Sequence, residues 1–150
     1  MPARASDALA VLKEGLREAD IEELRALGRS PDAALWSAVA ASEPLAFTIL
    51  VDRVPAGLFG VAPTDDPEVG AAWMLGTDSL LRVRRELVTE AVRWIDFLNT
   101  IYPVLTNYVD DRNEVAGRWL EAMGFEFPFT DDFVTDEGVT FRRFYRCATP

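Results

Sequence analysis

The chain contains no histidine and a single cysteine, Cys147. These two absences remove disulfides, Cys/His zinc sites, Ser-His-Asp relays and Cys-His catalysis together. Any proton transfer falls to carboxylates, tyrosine, lysine, water or a terminus. Cys147, with no histidine or lysine beside it, reads as an inert thiol. Lysine is nearly missing as well: Lys13 stands alone among 15 basic residues. Either fixed bidentate donors were selected for the cationic surface or arginine reflects a coding bias. No apolar stretch approaches the ~20 residues that span a bilayer, and residues 1–6 lack the apolar run of a signal peptide. The expectation is no membrane association and a protein that stays where it is made or is packaged from there. Acidic residues outnumber basic ones 25 to 15, for a net charge of −10, which repels phosphate backbones and makes nucleic acid a poor first guess. The acidic clusters Asp65-Asp66 and Asp110-Asp111 lack the alternating ligands and glycine of a calcium loop, so they read as solubility and capping devices and no metal site is expected.

What is present is the make-up of an ordinary globular chain, 150 residues with 49% apolar and 27% charged side chains, enough for one domain over 1–150 and too few for two of ordinary size. Leu9, Leu12 and Leu16 share a helical stripe, and Asp20-x-x-Glu23 before Leu24 reads as a capping box opening a second set of turns, stopped by Gly28. Ser30-Pro31 predicts an N-cap and a helix to about residue 42, with Leu35, Trp36 and Val39 inward. The period then changes. Residues 45–51 and 55–62 read as a hairpin around Asp52-Arg53-Val54, with Gly57 and Gly60 as bulges or close approaches. A turn at 63–67 leads to a third strand at 69–75. Asp78 or Ser79 can then cap a long helix with Leu80, Leu87, Ala91, Trp94 and Leu98 inward. A strand at 104–109, a helix from 113 to 123 carrying Val115, Trp119 and Met123 inward, and strands at 125–129 and 139–147 joined by an acidic loop complete the chain. Trp94 and Trp119 are expected in the core, while Trp36 and Trp73 stay open as core or stacking surfaces. This order implies an α/β mixed sheet, mostly antiparallel, flanked by helices.

The run from Tyr108 to Phe125, with Asn113, Ala116 three residues later and Gly124-Phe125 closing the helix, resembles the strand, asparagine-headed helix and Gly-Phe turn of the GNAT acyltransferase superfamily. The element order agrees, with residues 1–4 as a remnant of the first strand. More narrowly, Leu75-Gly76-Thr77-Asp78, Leu105-Thr106-Asn107-Tyr108-Val109, Arg118-Trp119-Leu120 and Phe141-Arg142-Arg143-Phe144 look like small phage-encoded GNAT-like proteins, including internal virion proteins of short-tailed phages. In an active superfamily member two central strands splay, a strand edge pairs with the pantetheine of acetyl-CoA, and amides at the start of the long helix hold its pyrophosphate. By resemblance, cofactor contacts fall on Leu75, Gly76, Thr77, Ser79, Arg82, Arg84 and Asn113, and catalytic roles on Tyr108 and Asn113.

The resemblance breaks at two places. The superfamily's phosphate loop carries glycines that are missing here, and Asp78 puts a negative charge beside the diphosphate, with Arg82, Arg84 and Arg85 as partial compensation or as a solvated face. Leu120 stands where many members carry the tyrosine that protonates the leaving thiolate, so Tyr108 is the substitute acid if it is not a core residue with its hydroxyl at the rim. Two readings follow. One is a virion-associated component that contacts other phage virion proteins, with its transferase machinery eroded, located in the virion or in the cytoplasm of the bacterial host. The other is a working N-acyltransferase that uses acetyl-CoA on an amine, where proximity supplies much of the rate.

Overall fold

The computed structural model describes residues 1–128 and 130–148. The elements run α1 (Ala5–Glu14), α2 (Glu18–Ala26), α3 (Pro31–Ser42), β1 (Ala46–Val51), β2 (Val54–Pro63), β3 (Val69–Gly76), α4 (Ser79–Arg82), α5 (Arg84–Ile101), β4 (Val104–Asp110), α6 (Glu114–Ala122), β5 (Phe133–Val134) and β6 (Thr140–Cys147). The strands form one six-stranded sheet in the order β1-β2-β3-β4-β6-β5. The chain divides into two compact units, Met1–Ala62 with Ala72–Arg84 and Pro63–Ala71 with the residues from Arg85 onward. Among the described residues, no helix is long and apolar enough to cross a membrane.

In the first unit the β1–β2 hairpin turns on Asp52 and Arg53, both at positive φ (52° and 66°), the signature of a two-residue turn whose twist matches the strands. Gly60 is required by close approach: a Cβ there would stand 2.5 Å from the Leu45 carbonyl oxygen and 3.0 Å from the Trp73 ring. The outer edge of β1 is covered by residues 1–3, through Thr48 N–H to the Met1 carbonyl (2.8 Å) and Ala3 N–H to the Ala46 carbonyl (2.9 Å). That is the strand remnant the sequence suggests. Ser30 caps α3 by accepting from the Ala33 N–H at 3.3 Å, as its place before Pro31 predicts. The core joins Ala8, Val11, Leu16, Leu24, Leu35, Val39, Leu58 and Leu75.

Three expectations fail in this unit. The buried face of α1 is Asp7, Ala8 and Val11, while Leu9 is 58% exposed. The inward side is chosen by Asp7, whose carboxylate accepts from the Arg4 N–H (3.0 Å) and the Thr48 hydroxyl (2.9 Å). Asp20 is no cap either. Helix α2 begins at Glu18, and Asp20 lies inside it, buried beside Arg17. Trp36, expected inward, is exposed, whereas Trp73 packs on the core and donates its indole N–H to the buried Ser42 hydroxyl at 2.7 Å.

In the second unit β3 pairs in parallel with β4 over Val69–Ala71 and Val104–Thr106, and β4 pairs antiparallel with β6 along its whole length. Phe125 and Phe144 meet edge to face at 5.1 Å, with Leu98, Leu105, Val109, Trp119, Met123 and Phe141 buried around them. Asn99, near the end of α5, is buried and ties three chain segments at once. Its amide nitrogen donates to the carbonyls of Tyr102 (3.1 Å), Pro103 (3.5 Å) and Arg146 (3.2 Å), and its oxygen accepts from Arg146 Nη1 at 2.7 Å.

Three expectations are corrected here. The long helix is broken at Val83 into α4 and α5, and Asp78 makes no side-chain cap bond. Trp94 is half-buried rather than core, and with Glu90, Arg93 and Phe97 it lines a shallow hollow of about 400 Å³ on α5. The strand expected at 125–129 shrinks to one bridge, Glu126 with Tyr145, and its last residue, Phe129, lies outside the described residues. The partner strand is β5, inside the stretch read as an acidic loop. Its apolar signal is only two residues long, too short for a period-2 pattern.

Candidate functional site

The expected cofactor contacts begin where β3 ends. Thr77 donates its backbone N–H (2.8 Å) and its hydroxyl (3.0 Å) to the Ala56 carbonyl on β2. Because successive residues of a strand turn their backbone groups to opposite sides, Gly76 faces away from β2. There its carbonyl accepts from the Arg17 N–H at 2.8 Å, and its N–H donates to Asp20 Oδ2 at 3.1 Å. Asp20 in turn accepts from Arg17 Nη2 at 2.8 Å and Nε at 3.2 Å. Gly76 also has no room for a side chain, since a Cβ would collide with the Leu80 Cδ1 atom, and Leu80 is wholly buried.

These residues do not fit the phosphates of a nucleotide cofactor. The Gly76 and Thr77 amides are already spent, Leu75 is buried, and a carboxylate sits on the Gly76 amide, which faces away from the hairpin. Ser79 accepts from Arg82 Nη2 at 3.4 Å. Arg82 and Arg84 are exposed, Arg84 opening the 18-residue α5. The arginines of this stretch are therefore its accessible cations, and positive charge there adds to the positive end of the α5 dipole. Sequence reasoning missed Arg17 and Asp20. Their one signal, an acid three residues after an arginine, also fits an ordinary helix start.

In the second unit Tyr108 and Asn113 bracket the β4–α6 connection. Tyr108 is 40% exposed and meets the Phe133 ring edge-on at 4.9 Å, so it is a rim residue and not core. Asn113 caps α6 by accepting from the Ala116 N–H at 3.2 Å, the structural role its position predicts. Between them Asp110 is buried and bonded to Arg112 through Nη2 (2.6 Å), Nε (3.0 Å) and the backbone N–H (2.9 Å). Burial works to raise the Asp110 pKa, but the side-chain and backbone hydrogen bonds and the charge of Arg112 outweigh it and hold the carboxyl below its ordinary 3.8. A group lowered in the folded state contributes stability above the ordinary carboxylate range, and that contribution is lost as pH falls through its folded value. The stability gap between the wild type and Asp110→Asn is thus expected to shrink from about pH 6 to about pH 2.5. Urea unfolding across that range checks it, and a constant gap would refute it.

Tyr145, which sequence reasoning passed over, donates its hydroxyl to Glu126 Oε2 at 2.9 Å. That bond and the Glu126 charge raise its pKa, keeping the phenol protonated.

The element order, the mixed sheet and the asparagine-capped helix after β4 make this the fold of the GNAT acetyltransferases. Among solved structures, Ard1 from Thermoplasma volcanium matches with a TM-score of 0.75 over 100% of this chain and 97% of its own, at 14% identity. A GNAT-family acetyltransferase from Bacillus anthracis matches at 0.70 over 97% and 92%, at 11% identity. The ribosomal-protein-S18-alanine N-acetyltransferase from Escherichia coli matches at 0.67 over 100% and 93%, at 12% identity. No protein-family model and no curated protein matches the sequence.

Proposed function

We propose that this GNAT-fold protein works through protein contacts rather than acyl transfer, as a phage-encoded, virion-associated component whose partners are other virion proteins. The observation that carries the reading is the end of β3. The backbone groups of Gly76 are bonded to Arg17 and Asp20, and the Leu80 side chain fills the space above them. Leu120 and the missing phosphate-loop glycines point the same way. Such a protein would be found in the virion or in the cytoplasm of the bacterial host.

A second reading keeps acetyl-CoA-dependent N-acetylation of an amine. It is favoured by the fold likeness over the whole chain and by the exposed Arg82, Arg84 and Arg85 around the start of α5. On this reading those arginines would hold the diphosphate, Tyr108 would be the acid and Asn113 a neighbouring contact, while the cofactor would supply the acyl thioester.

Thermal unfolding with and without millimolar coenzyme A separates the two. A ligand at ~100 times its Kd adds about 2.7 kcal/mol, which for a chain of this size raises Tm by roughly 5–10 °C. The expected result is no shift. A shift of that size would overturn the non-catalytic reading. Mass spectrometry of purified particles should find the protein at a fixed low copy number, and its absence from them would remove the virion role.

A further inference from the structure

One face of the second unit carries an open aromatic patch. Opposed residues share a face of a ladder, so the pairings of Tyr108 with Arg143 and of Phe133 with Phe141 bring these side chains to the same side. Phe133 lies flat on the buried Phe141, centroids 5.1 Å apart and planes within 4°, and stands at 72° to the Tyr108 ring with centroids 4.9 Å apart. Phe133 is nevertheless 37% exposed and Tyr108 40%. The patch is held firmly in place. Arg143 donates its N–H to Asp132 Oδ1 (3.1 Å), Nη1 to Asp131 Oδ2 (2.9 Å) and Nε to the Thr106 hydroxyl (3.1 Å), fastening the segment that bears Phe133 to β4 and β6.

The rim is predominantly acidic. Asp131, Asp132, Asp136 and Glu137 are exposed in the segment 130–138, which contains no basic residue. Arg143 is bonded to Asp131 and Asp132, Arg112 is paired with Asp110 at 2.6 Å, and Arg142 is turned to the Phe127 ring, 4.4 Å from its centroid. Exposed ring surface attracts cations electrostatically, and a carboxylate rim does the same with greater reach. Nucleic acid and anionic membranes are repelled, and a second copy would set like charges against each other.

We propose that this patch docks an arginine- or lysine-bearing extended segment of a protein partner, the cation against Tyr108 and Phe133 and within reach of the exposed carboxylates of the segment 130–138. The inference rests on reading the protein as an interaction component and names the chemistry of what it contacts.

The probe is a short peptide of alternating arginine and alanine, titrated into the full chain with amide chemical shifts as the readout. Shifts should concentrate at residues 108, 131–137 and 141–143. The pair Tyr108→Ser with Phe133→Ser should weaken binding about tenfold, equal to about 1.4 kcal/mol. The loop pair Asp136→Asn with Glu137→Gln, both exposed, should weaken it about threefold and flatten its salt dependence. Shifts spread evenly over the acidic surface, unchanged affinity in both pairs, equal binding of a glutamate–alanine peptide, or self-association in place of peptide binding would each overturn the proposal. A coenzyme A stabilisation together with intact peptide binding would instead overturn only the non-catalytic reading.

Discussion

Asp20→Ala should destabilise the first unit by about 3–5 kcal/mol, the cost of removing one partner from a buried ion pair. Both side chains are almost fully buried, at 6% and 3% for Arg17 and Asp20, so the guanidinium left behind has little water to turn to. The loss also reaches the strand, because Asp20 accepts the Gly76 N–H. Two measurements check this: urea unfolding for the free energy, and amide exchange at Gly76, which should speed up in the variant. Asp20→Asn, which keeps an acceptor and the shape, should lose less. A cost below about 1 kcal/mol for the alanine variant would mean that the pair is solvated and screened like a surface bridge.

In the second unit the corresponding loss comes from Asn99→Ala, expected to cost about 3 kcal/mol. Up to three carbonyls and the Arg146 guanidinium lose a partner in a buried setting, and each unsatisfied group costs about 1–3 kcal/mol before relaxation. Arg146 keeps its bond to Asp96 at 2.6 Å, which limits the damage. Asn99→Asp separates the two halves of the role. It retains the acceptor for Arg146 but offers no amide donors to the Tyr102, Pro103 and Arg146 carbonyls, so it should rescue little. Full stability in Asn99→Asp would show that the Arg146 contact alone matters.

The alternation of apolar residues and the turn chemistry were legible along the chain. Ser30-Pro31 marked the start of α3, Asp52-Arg53 the hairpin, and Asn113 with Gly124 the two ends of α6, where Gly124 takes φ 92°. Each of these signals is local: the residues that satisfy it lie within four positions of one another. Asp20 was misread for the opposite reason. Its decisive partner, the Gly76 N–H, is 56 positions away, and nothing near Asp20 in the sequence records it. The outward turn of Leu9 has the same origin, since Asp7 answers to Thr48, 41 positions on.

The candidate site divides along the same line. Sequence alone determined the absence of histidine chemistry and the asparagine-headed helix, because residue identity and short spacing decide those, whereas the departures at the phosphate loop and at Leu120 are what the resemblance implies. Only the tertiary structure decided that the Gly76 amide is occupied by an internal carboxylate, that Tyr108 stands at a rim against Phe133, and that an aromatic pair is clamped beside an acidic loop. Those outcomes depend on which distant backbone groups and rings meet once the strands are in register, and hydrogen-bond satisfaction across the fold, rather than local preference, settles them.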